Sequence, residues 1–350
     1  MPKLLVFLFY AFNYILPLVA AAQQIPASSL ASQYSLSTST VFPFPSATQA
    51  SAAAQSFIVS SWSLGKGRIQ DGPNNLAFVN DPYPDSTPTA SSGQVSPSSP
   101  VLQVTYPAGS YSNDTGGAQL YTLWNSSDGS NFSSMLLSYE VAFEAGFDWV
   151  KGGKLPGLRG GLKSTGCSGG NKATGQDCFS FRVMWRPNGA GEVYAYIPSP
   201  DGLCSTKGIV CNSDFGISIQ RGSFSFVSGQ WNKITMLVQL NNPPDEANGN
   251  ILLYYNDLLA LSQQNLQIRS NSSLTANGFY LSTFFGGSDS SWATPNTTHT
   301  FFRNIQMWGN GASSNLTGQP VKSDAHHHGG SITTLTAVVM IATTLVALCV

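Results

Sequence analysis

The chain has 350 residues, 42% of them apolar and only 9% charged, with a formal net charge of −1. That balance excludes a nucleic-acid surface built on bulk positive charge. Its five cysteines include no Cys-x-x-Cys pair with histidines beside it, which argues against a structural zinc site.

In chain order, Lys3 precedes an apolar run from Leu4 to Val19, and Ala20-Ala21-Ala22 offers a small-residue cleavage site. Residues 1–22 therefore read as a secretory signal peptide. Residues 23–55 are Ser, Thr, Ala and Pro with almost no charge. They read as a disordered stalk open to O-glycosylation, too poor in apolar surface to offset chain entropy. Residues 56–310 read as one large domain. Strands are expected at Leu137–Phe143, Trp231–Leu240, Asn250–Asn256, Gly278–Phe285 and Thr300–Trp308, and no stretch of the domain shows a sustained helical period. Short strands parted by Gly/Asn/Ser turns predict an all-β fold, a β-sandwich of jelly-roll type with one concave sheet forming a substrate groove.

Cys167 and Cys178 bracket one Gly-rich loop and Cys204 and Cys211 another, so the shortest-loop choice among three pairings joins each local pair; Cys349 is left over. Six Asn-x-Ser/Thr acceptors stand at Asn113, Asn125, Asn131, Asn271, Asn296 and Asn315. Residues 311–350 run from small and polar residues through His326–His328 to an apolar tail with no basic cluster after it. That is the pattern of a GPI-anchor signal, with Ser323 or Gly311–Ser314 as attachment sites; a single-pass membrane helix is the rival reading. The expected protein is secreted, monomeric and held at the cell surface or wall, touching membrane only through that anchor.

The segment Cys178–Pro198 reads as a β-hairpin around Pro-Asn-Gly-Ala-Gly. Its odd positions, Phe179, Phe181, Val183, Trp185, Val193, Ala195 and Ile197, are apolar and face a core. Ser180, Arg182, Met184, Tyr194 and Tyr196 share the other face, and pairing about Gly189 would set Arg182 against Tyr196 and Met184 against Tyr194. On its own such a face is an ordinary device for stabilising a sheet. Nearby, however, Lys151, Lys154, Arg159, Lys163, Lys172, Arg182 and Arg186 cluster against Asp148, Asp177 and Glu192: seven of the sixteen cationic residues. A local cationic groove suits a polyanion at short range, and in an exported, aromatic-rich sandwich that polyanion would be an acidic polysaccharide. Trp149, Trp185 and Trp292 would serve as sugar-stacking aromatics.

Two other enzyme classes fit these residues less well. Glu140 and Glu144 share a strand face at the spacing of a retaining jelly-roll hydrolase, but lack the expected aromatic frame. A Ser/His/Asp triad is disfavoured, because His299 is the only histidine inside the domain.

These residues resemble polysaccharide lyase family 14. Lys151-Gly-Gly-Lys-Leu-Pro-Gly-Leu-Arg-Gly-Gly161 looks like that family's lysine-bearing loop, and Ser180-x-Arg182 followed by Tyr194-x-Tyr196 looks like its catalytic hairpin. Gly116-Gly-Ala-Gln-Leu-Tyr121, Phe284-Phe-Gly-Gly-Ser288 and Phe302-Arg-Asn-Ile-Gln306 fit as well, so the resemblance spans about Trp62 to Trp308. The Gly-rich insert carrying Cys167 is longer than the family pattern. Members are β-jelly rolls that cleave alginate or glucuronate-containing polymers by β-elimination without an obligatory cofactor. The resemblance implies a catalytic set of Lys154, Arg182, Tyr194 and Tyr196, with Ser180, Lys151 and Gln119 binding substrate and no metal or cofactor.

That chemistry needs these residue types. A uronate carboxylate must be neutralised before its C5 proton can leave, which suits the planar fork of Arg182, with Ser180 adding a hydrogen bond. A base then takes the C5 proton and an acid protonates the departing O4. Tyr196, ahead of Tyr194, can act if a cation lowers its phenol; Lys154 can be that cation or the base itself. A non-catalytic acidic-glycan-binding module remains the alternative of a different class.

Overall fold

The structure is a computed structural model that describes residues 23–86, 88, 100–124, 131–161 and 166–321. The elements begin with α1 (Ala27–Gln33), β1 (Thr38–Val41), α2 (Ser51–Ser61), β2 (Leu76–Val79), β3 (Val101–Tyr106) and α3 (Ser112–Thr115). There follow β4 (Ala118–Tyr121), β5 (Ser134–Phe143), β6 (Gly153–Gly160), β7 (Phe179–Trp185), β8 (Ala190–Tyr196) and β9 (Ile209–Val210). The chain continues through β10 (Ile217–Ser225), β11 (Trp231–Gln239), β12 (Glu246–Ala247) and β13 (Gly249–Tyr255). It closes with β14 (Leu258–Leu266), β15 (Ala276–Phe285), β16 (Thr298–Asn310) and β17 (Gln319–Pro320).

Two antiparallel sheets face each other as a jelly-roll sandwich. The eight-stranded back sheet runs β14-β13-β11-β5-β16-β3-β2 with β1 on β16, and the seven-stranded front sheet runs β4-β15-β6-β7-β8-β10-β9. Strand alternation drives the arrangement. Tyr139, Val141, Phe143 and Met236 point forward from the back sheet, and meet Leu155, Phe181, Val183 and Val193 from the front. Trp185 belongs to this core, ringed edge-on by Tyr106, Phe143, Phe147 and Phe285. Trp149 packs 4.6 Å from Phe143. Neither is a sugar platform: Trp185 lies on the inward-turned odd face of the hairpin, and Trp149 packs against Phe143, Phe147 and Phe226 at the edge of the core.

Residues 23–55 are not a stalk. Ala27, Leu30 and Ala31 lie at helical spacing on α1 and are buried over Leu136, Leu237, Leu252 and Tyr254 on the outer face of the back sheet. β3 pairs with β16 only over Thr298–Phe302, and β1 takes up Gln306–Gly309 beside it. An edge that would otherwise expose unpaired backbone is thus covered by a segment whose composition suggested disorder. α2 likewise overrides the expected boundary at residue 56, burying Ala54 and Ile58. At the other end, Ser314 N–H donates to the Leu240 carbonyl and β17 pairs with β12, so order reaches Val321 rather than ending at 310. The signal peptide, the apolar tail, His326–His328, Ser323, Lys163, Asn125 and Cys349 lie outside the described residues. Among the described residues no helix is long and apolar enough to cross a membrane. Cys167–Cys178 and Cys204–Cys211 form as the shortest-loop pairing expects. Of the described glycosylation acceptors, Asn131, Asn296 and Asn315 are exposed, and Asn113 and Asn271 are partly exposed.

Candidate active site

The site is built on the front sheet, starting from the turn that joins β7 to β8. Asn188 and Gly189 both take left-handed backbone, at φ 61° and 76°, which these two residues adopt most readily. Arg186 N–H donates to the Ala190 carbonyl at 2.7 Å, closing the turn. The register follows: Trp185 faces Gly191, Met184 faces Glu192, Arg182 faces Tyr194 and Ser180 faces Tyr196. The expected pairs were two residues away, because the turn centres on Asn188 and not on Gly189. A two-residue slip preserves the face, so the shared surface survives with changed partners. Glu192 shares that face and lies opposite Met184.

β6 adds Lys154 and Arg159 to the same face, although they stand an odd number apart. A bulge at Pro156, which has no N–H to give the ladder, resets the alternation so that Lys154 faces Met184 and Arg159 faces Ser180. Between them Gly157 lies opposite Arg182, where an added Cβ would stand 1.9 Å from the Phe181 carbonyl oxygen. β15 and β4 complete the face with Ser282, Tyr280 and Gln119.

The result is a groove enclosing about 490 Å³, with Gln119, Lys154, Arg182, Met184, Tyr194 and Tyr196 in its lining. Lys154 is 9% exposed, its Nζ 3.4 Å from the centroid of the Tyr194 ring and 2.7 Å from Met184 Sδ. Burial holds its pKa well below the usual lysine range, and the charges of Arg182 and Arg186 push the same way, against a smaller pull from Glu192. Burial likewise raises the Tyr194 phenol to about 12, helped by Tyr196 and Glu192 and opposed by Arg186 and Arg182. Sequence reasoning allowed a neighbouring cation to lower that phenol; here desolvation wins, so at neutral pH Tyr194 keeps its proton, while the same burial makes Lys154 give up its proton more readily than a free lysine.

Arg182 is 1% exposed, and its Nη1 donates to Ser282 Oγ at 3.0 Å. Tyr280 and Tyr196 rings lie 5.0 and 5.6 Å from its guanidinium carbon, and Nε has no hydrogen-bond partner. Among the described residues no carboxylate pairs with it. Ser282 Oγ donates to Gln119 Oε1 at 3.1 Å, Tyr280 adds a second hydrogen bond there at 2.9 Å, and Gln119 Nε2 donates to Asp71 at 2.8 Å. Gln119 therefore lines the groove, but its amide is already committed to the chain of contacts that orients Arg182.

Two other expected substrate ligands are elsewhere. Ser180 is fully buried and its hydroxyl donates to the Cys167 carbonyl at 2.6 Å, anchoring the disulfide loop. Lys151 sits at the rim, donating to Ser291 at 2.6 Å and lying 5.9 Å from the Trp292 ring. Trp292 is the one proposed stacking aromatic that lines the groove. Tyr196 accepts a 3.4 Å hydrogen bond from Gly170 N–H, and Cys167 and Cys178 pack with both tyrosines. The basic cluster is dispersed: Arg159 is buried beside Tyr121 and Tyr280, and Lys172 is exposed. Glu140 and Glu144 are not a hydrolase pair. Glu140 is buried on the outer face of the back sheet against Arg303 and Asn304, and Glu144 pairs with His299.

Sequence reasoning missed Ser282, Tyr280, Glu192, Asp71 and Arg221. The first three had a signal, since each shares strand parity with a residue already singled out. Asp71 and Arg221 had none, one lying in a loop and the other on an irregular strand. Among the described residues no group of three His, Cys, Asp or Glu side chains is placed to hold a metal.

Residues 94–305 match the family Polysaccharide lyase 14. The chain is 31% identical to a marine PL-14 alginate lyase from Aplysia kurodai, over 78% of this chain and 98% of that one, with a TM-score of 0.63. It is 21% identical to an alginate lyase from a Chlorella virus, over 75% and 99% of the two chains at a TM-score of 0.53, a likeness of fold. No curated protein matches the sequence.

Proposed function

The chain belongs to polysaccharide lyase family 14 and is a polysaccharide lyase; from that premise we propose that it cleaves an acidic polyuronate, of alginate or glucuronan type, by β-elimination. The observation that carries the substrate class is Arg182, a buried guanidinium facing the groove with no carboxylate partner among the described residues. A buried charge without a partner is costly, and a uronate carboxylate would complete it with a two-pronged contact.

With that carboxylate neutralised, the C5 proton becomes acidic and the neutral Lys154 amine takes it. The C5–H electron pair forms the C4–C5 double bond as the C4–O4 bond breaks, and the Tyr194 phenol gives its proton to O4. The products are one fragment with a 4,5-unsaturated uronate at its new non-reducing end and another whose new reducing end keeps O4 as its anomeric hydroxyl. No water is consumed. Lys154 lies against the Tyr194 ring, so the ammonium and phenolate left behind neighbour each other, and proton return resets the pair. Tyr196 walls the site from the disulfide-loop side, and Ser282, held by Gln119, aims Arg182.

Secretion, a GPI anchor at the cell surface and a monomeric state complete the proposal, resting on residues 1–22 and 311–350; release by a phosphatidylinositol-specific phospholipase tests the anchor. The activity test is ultraviolet absorbance of the secreted protein with glucuronan, polymannuronate and polyguluronate. Absorbance should rise on at least one polymer and vanish in Lys154→Ala and Tyr194→Phe. A flat trace from folded wild type on all three would leave a glycan-binding module.

A further inference from the structure

We propose that Arg186 and Arg221 form a second carboxylate subsite in the groove, which binds the uronate next along the same polymer. This rests on the lyase reading, which supplies a chain with an acid on every sugar. Both residues line the groove with Ser218. Register places Ser218, the partner of Arg221 on Glu192, two strands from the first site: Arg182 faces Tyr194, and Tyr194 faces Ser218 on the next strand, β10. Two strand spacings amount to about 10 Å, too far for a single carboxylate to bridge.

The local geometry is built for projection. Between Ile219 and Phe224 the β10 register slips against β8, so that residues 220–223 bulge from the ladder. Gln220 and Gly222 take φ 52° and 81° on either side of Arg221. A bulge of this kind re-aims a side chain, and left-handed backbone at a non-glycine is rarely kept without a return. Here it returns Arg221 over the sheet, where its Nε meets Glu192 Oε2 at 2.6 Å and its side chain is 48% exposed.

Charge supplies the second argument. Arg186 gives two hydrogen bonds to Glu192 Oε1, at 2.9 and 2.6 Å, and Ser218 joins Arg221 on Oε2 at 2.7 Å. Burial would raise the pKa of Glu192, but these hydrogen bonds and both guanidinium charges outweigh it, so the carboxylate is ionised. One negative charge is thereby shared by two positive ones. Among the described residues neither Nη1 has a hydrogen bond, which leaves one free donor group on each fork. A purely structural ion pair between β8 and β10 needs only one of the two arginines. The surplus guanidinium is matched when an outside carboxylate arrives.

The test is Arg221→Gln in the full secreted protein, with Arg221→Lys beside it, assayed on polyuronate oligosaccharides of increasing length. KM on long chains should rise about tenfold, which is about 1.4 kcal/mol, with kcat held, and the Lys variant should fall between. The shortest cleavable oligosaccharide should keep its KM, and any fall in melting temperature should be small, since Arg186 and Ser218 still hold the buried Glu192 carboxylate. An unchanged KM on long chains, or an equal rise at every length, would overturn the subsite. Calorimetric titration with polymannuronate, and with a neutral cello-oligosaccharide as control, separates this from the lyase reading. If wild type forms no unsaturated product, weaker polymannuronate binding by Arg221→Gln still supports the subsite, and equal binding overturns it.

Discussion

The two outward faces of the sandwich both bury charge, and they do so in opposite ways. On the back sheet, Arg303 donates to Glu140 at 2.7 Å, bonds Asp81, and stacks 4.1 Å over Trp231, while Lys233 pairs with Asp257 at 2.9 Å. Both of these cations have acidic partners within the protein. In the groove, Glu192 pairs with both Arg186 and Arg221, while Lys154 and Arg182 line the same groove with no ion pair among the described residues. The first arrangement is closed and needs nothing from outside. The second is short of negative charge, and that shortage separates a site from scaffolding when residue types are the same.

The strongest way to break this comparison is Lys154→Met. As the base, Lys154 should carry about 10²–10⁴ of the rate, so turnover should fall to background. Stability should move the other way. The folded-state pKa of Lys154 is depressed, so the unfolded chain binds its proton more readily than the native protein does. That cost is full at pH values below the folded pKa and fades as pH rises to the ordinary lysine range. Lys154→Met should therefore raise the melting temperature near neutral pH, with the gain shrinking toward pH of about 10.4, the free-lysine value. A variant that is both inactive and less stable would put Lys154 in the scaffold.

A pH profile sharpens the same point without mutation. In wild type, kcat/KM should climb as Lys154 loses its proton, on an acid limb lying below the usual lysine range. It should then hold until Tyr194 ionises near 12. Tyr194→Phe should remove activity across the profile; a rate already flat at low pH would exclude Lys154 as the base.

On the other face, Arg303→Met should leave kcat and KM alone while stripping Glu140 and Asp81 of their cation. Removing one partner of a buried pair costs about 3–5 kcal/mol, readable as a lower denaturant midpoint. Loss of activity without loss of stability would contradict the division of labour between the faces.

How far each face was legible follows from the same physics. The front hairpin announced itself because period-2 alternation and an Asn-Gly turn are local signals, which put Arg182, Tyr194 and Tyr196 on one face; Lys154 and the catalytic roles came only with the family resemblance. Fold class and both disulfides were equally local. The hairpin partners were misjudged because Asn188, as well as Gly189, turned left-handed. α1 and β1 were misread because a Ser/Thr/Ala-rich composition says nothing about an unpaired stretch of β16 waiting hundreds of residues away. Arg221 and Asp71 depend on a bulge and a loop, where alternation carries no information. Glu140 and Glu144 had the right spacing on the wrong sheet; strand parity fixes a face without saying which side of the sandwich it belongs to.

The smallest effect is the most discriminating for the groove's lining. The family resemblance implies that Ser180 touches substrate, whereas its buried hydroxyl holds the Cys167 carbonyl. Ser180→Ala leaves that carbonyl short of a donor, a loss of about 1 kcal/mol, and loosens the loop whose Gly170 N–H meets Tyr196. The expected outcome is a melting temperature a few degrees lower, with KM within about twofold of wild type, a change under 0.5 kcal/mol. Any fall in kcat should be modest, since Lys154, Arg182 and Tyr194 stay in place. If KM instead rose strongly at an unchanged melting temperature, the hydroxyl would be in contact with the sugar. The disulfide loop would then have to lift away from Ser180 when substrate binds, and Tyr196 would lose a neighbour at the same step.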